Sequence, residues 1–266
     1  MSQAGAKWPA LVLAAGRGPD DPMAKAFGVS HKCLVKVAGS PMLARVVKAL
    51  RECARIGEIF ICIEDAAIAR KALGGTLPAG VRILGAAGSA ASSVLAAVEE
   101  TGFPLLVTTA DHALLDTAML ETFLSQADKM TDADLAVALA RREVVEKAFP
   151  DVKRTWLRFG PDELSACNLF ALKTPRARKA AAFWRAAEKN RKQPWKIAWA
   201  FGLWPLIKVA LGLAGLQEAF AMASRRLGLV ARPVLMPMAT AAVDVDKPSD
   251  HALVEAIVAR HADEHD

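Results

Sequence analysis

The 266-residue chain predicts an α/β fold with a mostly parallel sheet and crossover helices, on three observations. Short aliphatic runs alternate with stretches of helical periodicity through its first half. The first of these runs ends in a glycine-bearing turn, Leu13-Ala14-Ala15-Gly16-Arg17-Gly18. A later run, Leu105–Thr109, is followed by Asp111, which places a carboxylate at the strand end where open α/β sheets bind ligands.

The elements follow in order. Ala10–Ala14 is apolar and turns at glycine, which predicts a buried strand. Cys33–Val37 is a brief strand or extended loop, turning at Ala38-Gly39-Ser40-Pro41. Met42–Ala54 carries Leu43, Val46, Val47 and Leu50 at helical spacing. Strands are expected at Glu58–Ile63, Val81–Leu84, Leu105–Thr109, Asp134–Ala140 and Leu164–Leu172. Helices are expected at Ser89–Glu100, which opens on serines suited to N-capping, and at Thr117–Ala127. Residues 176–228 are nearly all helix-compatible and read as a helical insertion before the last strand, within one domain spanning 1–266. That last strand is placed at Ala241–Val245, with a helix from Ser249 to His261.

Apolar residues make up 53% of the chain, enough for a substantial core and against global disorder. The net charge of +6 favours anionic partners such as nucleotide phosphates. The excess is not gathered into a basic tail and tyrosine is absent, so a nucleic-acid partner is not expected. Four widely spaced cysteines (Cys33, Cys53, Cys62, Cys167) form neither a zinc pattern nor a disulfide framework. Together with the lack of a signal-peptide pattern near Met1, they predict reduced thiols in the cytoplasm.

The loop at Leu13–Gly18 leaves small residues where backbone can approach a ligand, and successive N–H groups there can nest phosphate oxygens. It lacks the third glycine of a dinucleotide fingerprint and the Gly-Lys-Ser/Thr of a P-loop. Further on, Lys32-Cys33-Leu34-Val35-Lys36-Val37-Ala38-Gly39-Ser40-Pro41-Met42-Leu43 presents a lysine just before a short turn. Asp244 and Asp246 share a face of an extended segment, where two carboxylates call for a cation or base between them.

The combination of Leu-Ala-Ala-Gly-Arg-Gly with Lys-x-Leu-x-x-Val-x-Gly-x-Pro-Met-Leu resembles the MobA-like NTP transferases. The resemblance implies a Rossmann-like three-layer α/β/α fold and a nucleotidyltransferase moving NMP from an NTP, CTP or GTP favoured. The acceptor would be a phosphorylated small molecule or lipid head group, with release of pyrophosphate. It assigns Lys32 and Arg17 to catalysis, and Leu13, Ala14, Ala15, Gly16, Arg17, Gly18, Lys32, Gly88, Ser92 and Ser93 to the nucleotide. Mg²⁺ would lie on Asp111 with Asp244 or Asp246, and the acceptor against Asn168, Lys153 and Arg154. Asp250 reads instead as first-turn stabilisation of the last helix. A GT-A-type glycosyltransferase and a non-catalytic nucleotide-binding scaffold are the rival readings.

Two departures from the family stand out. Relatives carry an arginine two residues after the loop's last glycine, where this chain has Pro19-Asp20-Asp21-Pro22. Arg17, Lys25 and Lys36 are the candidates to supply that charge. The tryptophan-bearing, strongly apolar stretch 195–229 is interrupted by Pro205, Lys208 and glycines, which argues against a spanning helix. It reads as two helices broken near Gly202–Pro205, packed over the cleft, with peripheral membrane contact as the alternative.

Overall fold

The computed structural model describes residues 7–150, 152, 154–189 and 213–263. The fold is Rossmann-like α/β, with mixed, mostly parallel strands and two compact units. The first comprises Met1–Ala86, Leu106–Glu121 and Val243–Asp266; the second comprises Ala87–Leu105 and Thr122–Ala242.

The first unit is built on β1 (Trp8–Leu13), β4 (Ile56–Ile63), β5 (Val81–Gly85) and β6 (Leu105–Thr109). β1 lies between β4 and β6, β5 pairs with β4, and every pairing is parallel. Parallel strands covered on both faces read as continuous apolar runs, and Leu11, Val12, Ile61, Leu106 and Val107 are buried accordingly. A short helix α1 (Pro22–Ala26) follows the glycine loop, capped by Asp21, whose carboxylate accepts from the Met23 and Ala24 N–H groups. Next come β2 (Lys36–Val37) and β3 (Ser40–Pro41), a hairpin whose turn residues Ala38 and Gly39 both have positive φ. α2 (Met42–Glu52) buries the predicted face of Leu43, Val46, Val47 and Leu50. α3 (Ala66–Ala72) is a helix the sequence pattern did not announce.

The second unit contains α4 (Ala90–Thr101), β7 (Leu135–Arg141), α6 (Arg142–Ala148), β8 (Leu157–Phe159), β9 (Asp162–Leu172), α7 (Arg178–Lys189), α8 (Leu216–Leu227) and β10 (Ala231–Met236). α5 (Thr117–Lys129) runs from the first unit's residues into the second's. β10 pairs parallel with β7, while β9 pairs antiparallel with β7 and β8. Leu139, Leu164 and Leu216 form a local apolar cluster there with Val137, Phe159, Phe220 and Leu235.

The last strand corrects the sequence expectation. Ala239–Ala242 is a 3-10 turn rather than the start of a strand, and the last strand is β10, a few residues earlier. Pro233 disguised it; an edge strand tolerates a proline, and among the described residues β10 has a strand neighbour on one side only. The final helix is α9 (Pro248–Asp263). Of the stretch 195–229, residues 195–212 lie outside the described residues, and the remainder ends in α8. Among the described residues no helix is long and apolar enough to cross a membrane.

Asp134 ties the second unit together. Its carboxylate is buried and accepts from the Thr174 hydroxyl at 2.5 Å and the Val230 N–H at 2.8 Å. Asp134→Ala strands both donors, and hydrogen bonds to a charged group contribute about 1.5–3 kcal/mol each with non-additive losses. A fall of about 3 kcal/mol in unfolding free energy is expected, read from urea titration. A loss under about 1 kcal/mol would show that these bonds are not limiting.

Candidate active site

The first unit holds a cleft of about 460 Å³ lined by Leu13, Ala14, Ala15, Gly16, Arg17, Asp21, Pro22, Lys32, Cys33, Met42, Ala110, Asp111 and Asp246. It opens at the carboxyl ends of β1 and β6, where the Leu13–Gly18 loop and Asp111 leave their strands. β1 hands its ladder on through Ala14 N–H to Cys62 O, at 2.9 Å. The N–H groups of Ala15, Gly16, Arg17 and Gly18 make no hydrogen bond among the described residues. Four successive unused donors beside a cleft are what a phosphate nest requires. A Cβ built on Gly16 meets nothing within 4 Å, so the position is open, and Gly18 adopts φ +58°.

Lys32 opens a 3-10 turn, Lys32–Leu34, closed by Val35 N–H on Lys32 O at 3.0 Å. Cys33 and Leu34 are buried and anchor that turn. The hairpin behind it is held by α9, where His251 Nε2–H donates to Lys36 O at 2.6 Å and Glu255 accepts the Ala38 N–H at 2.9 Å. Lys32 Nζ donates to Asp111 Oδ2 at 2.7 Å and to Asp246 Oδ1 at 2.6 Å. Burial disfavours the ammonium, but attraction and hydrogen bonds from the two carboxylates more than reverse this and hold its pKa above the ordinary lysine value. A folded pKa raised above the unfolded one means the charge, and the stability it brings, persists throughout the neutral range.

Bonds behind the cleft hold the Asp111 carboxylate and the backbone of both aspartates. Thr109 Oγ1 donates to Asp111 Oδ1 at 2.5 Å, and Val245 N–H donates to Asp111 O at 3.1 Å. Asp250 Oδ2 accepts from the N–H groups of Asp246 and Lys247, so it organises the entry to α9 as the sequence suggested. The sequence left Asp244 and Asp246 as alternatives; Asp246 lies on Lys32 and in the cleft wall, and Asp244 is not among its lining residues. His112 is fully buried and does not line the cleft. Cys33 does, but burial first and then the Glu64 charge push its thiol up to about 12, which removes it as a nucleophile near neutrality.

Of the three candidates for the missing arginine, Arg17 lines the cleft. The Lys25 ammonium lies 3.1 Å from Asp20, the acidic residue itself, and Lys36 projects exposed from β2. The remaining predicted residues belong to the second unit. Ser89 caps α4 through the Ser92 N–H, its hydroxyl meets that of Ser92 at 3.1 Å, and buried Ser93 accepts the Ala87 N–H at 3.0 Å. Gly88 precedes them at φ +74°. Asn168 sits in β9 at φ +48°, within an irregular register opposite Val137–Leu139. Arg154 is half-buried, Arg158 is paired with Glu163 at 2.8 Å, and Lys153 lies outside the described residues. Sequence reasoning missed Thr109 and the His31–Glu64 pair at 3.3 Å, since neither belongs to a spaced motif.

A lysine between two carboxylates lies beside a loop of unused N–H groups, at the strand ends where an open α/β scaffold binds its ligands. The chain belongs to the MobA-like NTP transferase family, whose domain model matches residues 10–227. It is a nucleotidyltransferase. A hypothetical transferase from Thermus thermophilus is 31% identical, with a TM-score of 0.78 over 92% of this chain and 99% of that one. CMP:2-keto-3-deoxy-manno-octonic acid synthetase, complexed with CTP, is 14% identical with a TM-score of 0.58 over 96% and 100%. 4-Diphosphocytidyl-2C-methyl-D-erythritol synthase from Anaerococcus prevotii is 10% identical with a TM-score of 0.60 over 96% and 99%. The last two share the fold. No curated protein matches the chain.

Proposed function

We propose that the chain transfers a nucleoside monophosphate from CTP or GTP to a phosphorylated small molecule or lipid head group, with Mg²⁺ as cofactor and pyrophosphate as leaving group. The observation that carries this is Lys32 Nζ within 2.7 Å of both Asp111 and Asp246, beside the unused N–H groups of Ala15–Gly18. The domain we assign is single, and we place the protein in the cytoplasm without a nucleic-acid partner; of the insertion expected at 176–228, residues 190–212 lie outside the described residues.

The donor set suits magnesium. Among the described residues no cluster of three or more His, Cys, Asp or Glu forms an all-protein cage, and Mg²⁺ bound to substrate phosphates needs only one or two carboxylates. Asp111 and Asp246 would hold it, and when bound it supplies positive charge to the phosphate oxygens. The nest at Ala15–Gly18 binds the β- and γ-phosphates, with Arg17 beside them. An acceptor phosphate oxygen, already an anion, attacks the α-phosphorus in line. The new P–O bond forms as the bond to the bridging α–β oxygen breaks, and pyrophosphate leaves with that electron pair. No general base is required. Lys32 offsets the charge that builds at the α-phosphate, and Asn168, Arg154 and Lys153 are our candidates for the acceptor.

Pyrophosphate release tests this reading with CTP, GTP, UTP and ATP against a panel of phosphorylated acceptors. Turnover of an NDP-sugar without pyrophosphate would support the glycosyltransferase alternative and sink ours. Nucleotide binding without transfer to any acceptor would support the scaffold alternative, which the Lys25–Asp20 pair favours by leaving Arg17 to meet the triphosphate. A further prediction concerns Gly16. Because its Cβ position is open and Gly16 lines the cleft, Gly16→Val adds bulk at the cleft wall. NTP affinity should drop at least about tenfold with the melting temperature unchanged, measured by calorimetric titration.

A further inference from the structure

We propose that the Lys32 ammonium is a resident counter-cation, which occupies the Asp111–Asp246 carboxylate pair in the free protein and is exchanged for the divalent cation when nucleotide binds. This rests on the magnesium reading above. Thr109 sets the Asp111 carboxylate and Val245 its backbone, while the Asp250 turn sets the backbone that carries the short Asp246 side chain. Lys32 is the long, flexible member of the trio, and its Nζ takes one oxygen from each carboxylate. An ammonium at 2.6 and 2.7 Å from these oxygens occupies the space between them, so it and a metal ion bridging both cannot be bound together. Two like charges this close repel, so a cation between them stabilises the pair. Nucleotide brings both the metal and the phosphates, giving the displaced ammonium a new anionic partner within the same cleft. Metal without nucleotide has to displace Lys32 with nothing to receive it. The free protein therefore binds divalent metal weakly, and nucleotide and metal bind with positive coupling.

The test is Mn²⁺ affinity, read from the electron paramagnetic resonance signal of the free ion, with no turnover involved. Wild type should bind Mn²⁺ weakly alone, and Lys32→Met should bind it at least about tenfold more tightly without nucleotide. Lys32→Gln, which keeps a neutral donor, gives the same ordering if the methionine variant does not fold. Lys25→Met removes an equal charge from a lysine paired with Asp20 instead, and should stay within about twofold of wild type. Equal affinities for wild type and both Lys32 variants would overturn the proposal, as would a Lys25→Met gain as large as that of Lys32→Met. If Asp111-dependent Mn²⁺ binding then still appears with a non-hydrolysable CTP or GTP analogue, the catalytic reading survives that failure. If no Asp111-dependent binding appears in any arm, both fall together.

Discussion

Asp111→Asn is expected to lower nucleotidyl transfer about 10³-fold, measured as the rate of pyrophosphate release at saturating NTP. Asparagine matches the carboxylate in shape, so β6 and the cleft should keep their geometry. The charge is what disappears. Asp111 is the more enclosed of the two carboxylates, with 21% of its side chain exposed against 64% for Asp246. Its field is less screened by water, and it accepts from both Thr109 and Lys32. An amide can still accept from Lys32 through its oxygen while its NH₂ donates to the Thr109 hydroxyl, so the packing is kept. Asp246 is then the charged partner left to Lys32, and the hard oxygen ligand proposed for Mg²⁺ is weakened. Asp246→Asn, at the more solvated position, should cost less, about 10- to 100-fold. Activity of Asp111→Asn within about tenfold of wild type, with an unchanged melting temperature, would remove Asp111 from the site.

The parts of this site that were legible in the sequence are those governed by short-range rules. A strand ending in small residues, a lysine before a tight turn and an aspartate after an apolar run are local patterns, and β1, β6 and the Ala38–Gly39 turn follow from them. The strands Val81–Gly85 and Leu135–Arg141 were equally plain, because each is a short, mostly aliphatic run. What stayed hidden depends on tertiary partners. Alternation along an extended segment puts Asp244 and Asp246 on one face, but the Val245 bond to Asp111 O and the Asp250 turn decide which meets Lys32. β10 was masked by Pro233, since local propensity penalises a proline that an edge strand accommodates. The pairing of Lys25 with Asp20 could not be read either, because an acidic residue in a phosphate loop looks from sequence like a missing cation and nothing more.

That pairing matters for how the site handles charge. With Lys25 held by Asp20, Arg17 and Lys32 are the cations lining the cleft. A triphosphate carries more negative charge than two cations balance, which is why the proposed mechanism gives the remainder to the loop's backbone donors and a divalent ion. On the proposed reading Lys32 serves two states that need the same charge at different times: beside the carboxylates in the free protein, and beside the phosphates during transfer.

The second large effect separates these roles in one variant. Lys32→Met should lower kcat about 10²- to 10³-fold while changing the KM for NTP by no more than about fivefold. The reasoning is differential binding: charge at the α-phosphate grows as the bond to pyrophosphate breaks, so a cation there is worth more in the transition state than in the bound ground state. Lys32→Arg should recover little, because the planar guanidinium spreads its charge and forks where a compact ammonium meets two oxygens at 2.6 and 2.7 Å. The same Lys32→Met protein should bind Mn²⁺ more tightly than wild type as its turnover collapses. A merely structural lysine would lower both together, and a purely ground-state phosphate ligand would raise KM with kcat intact.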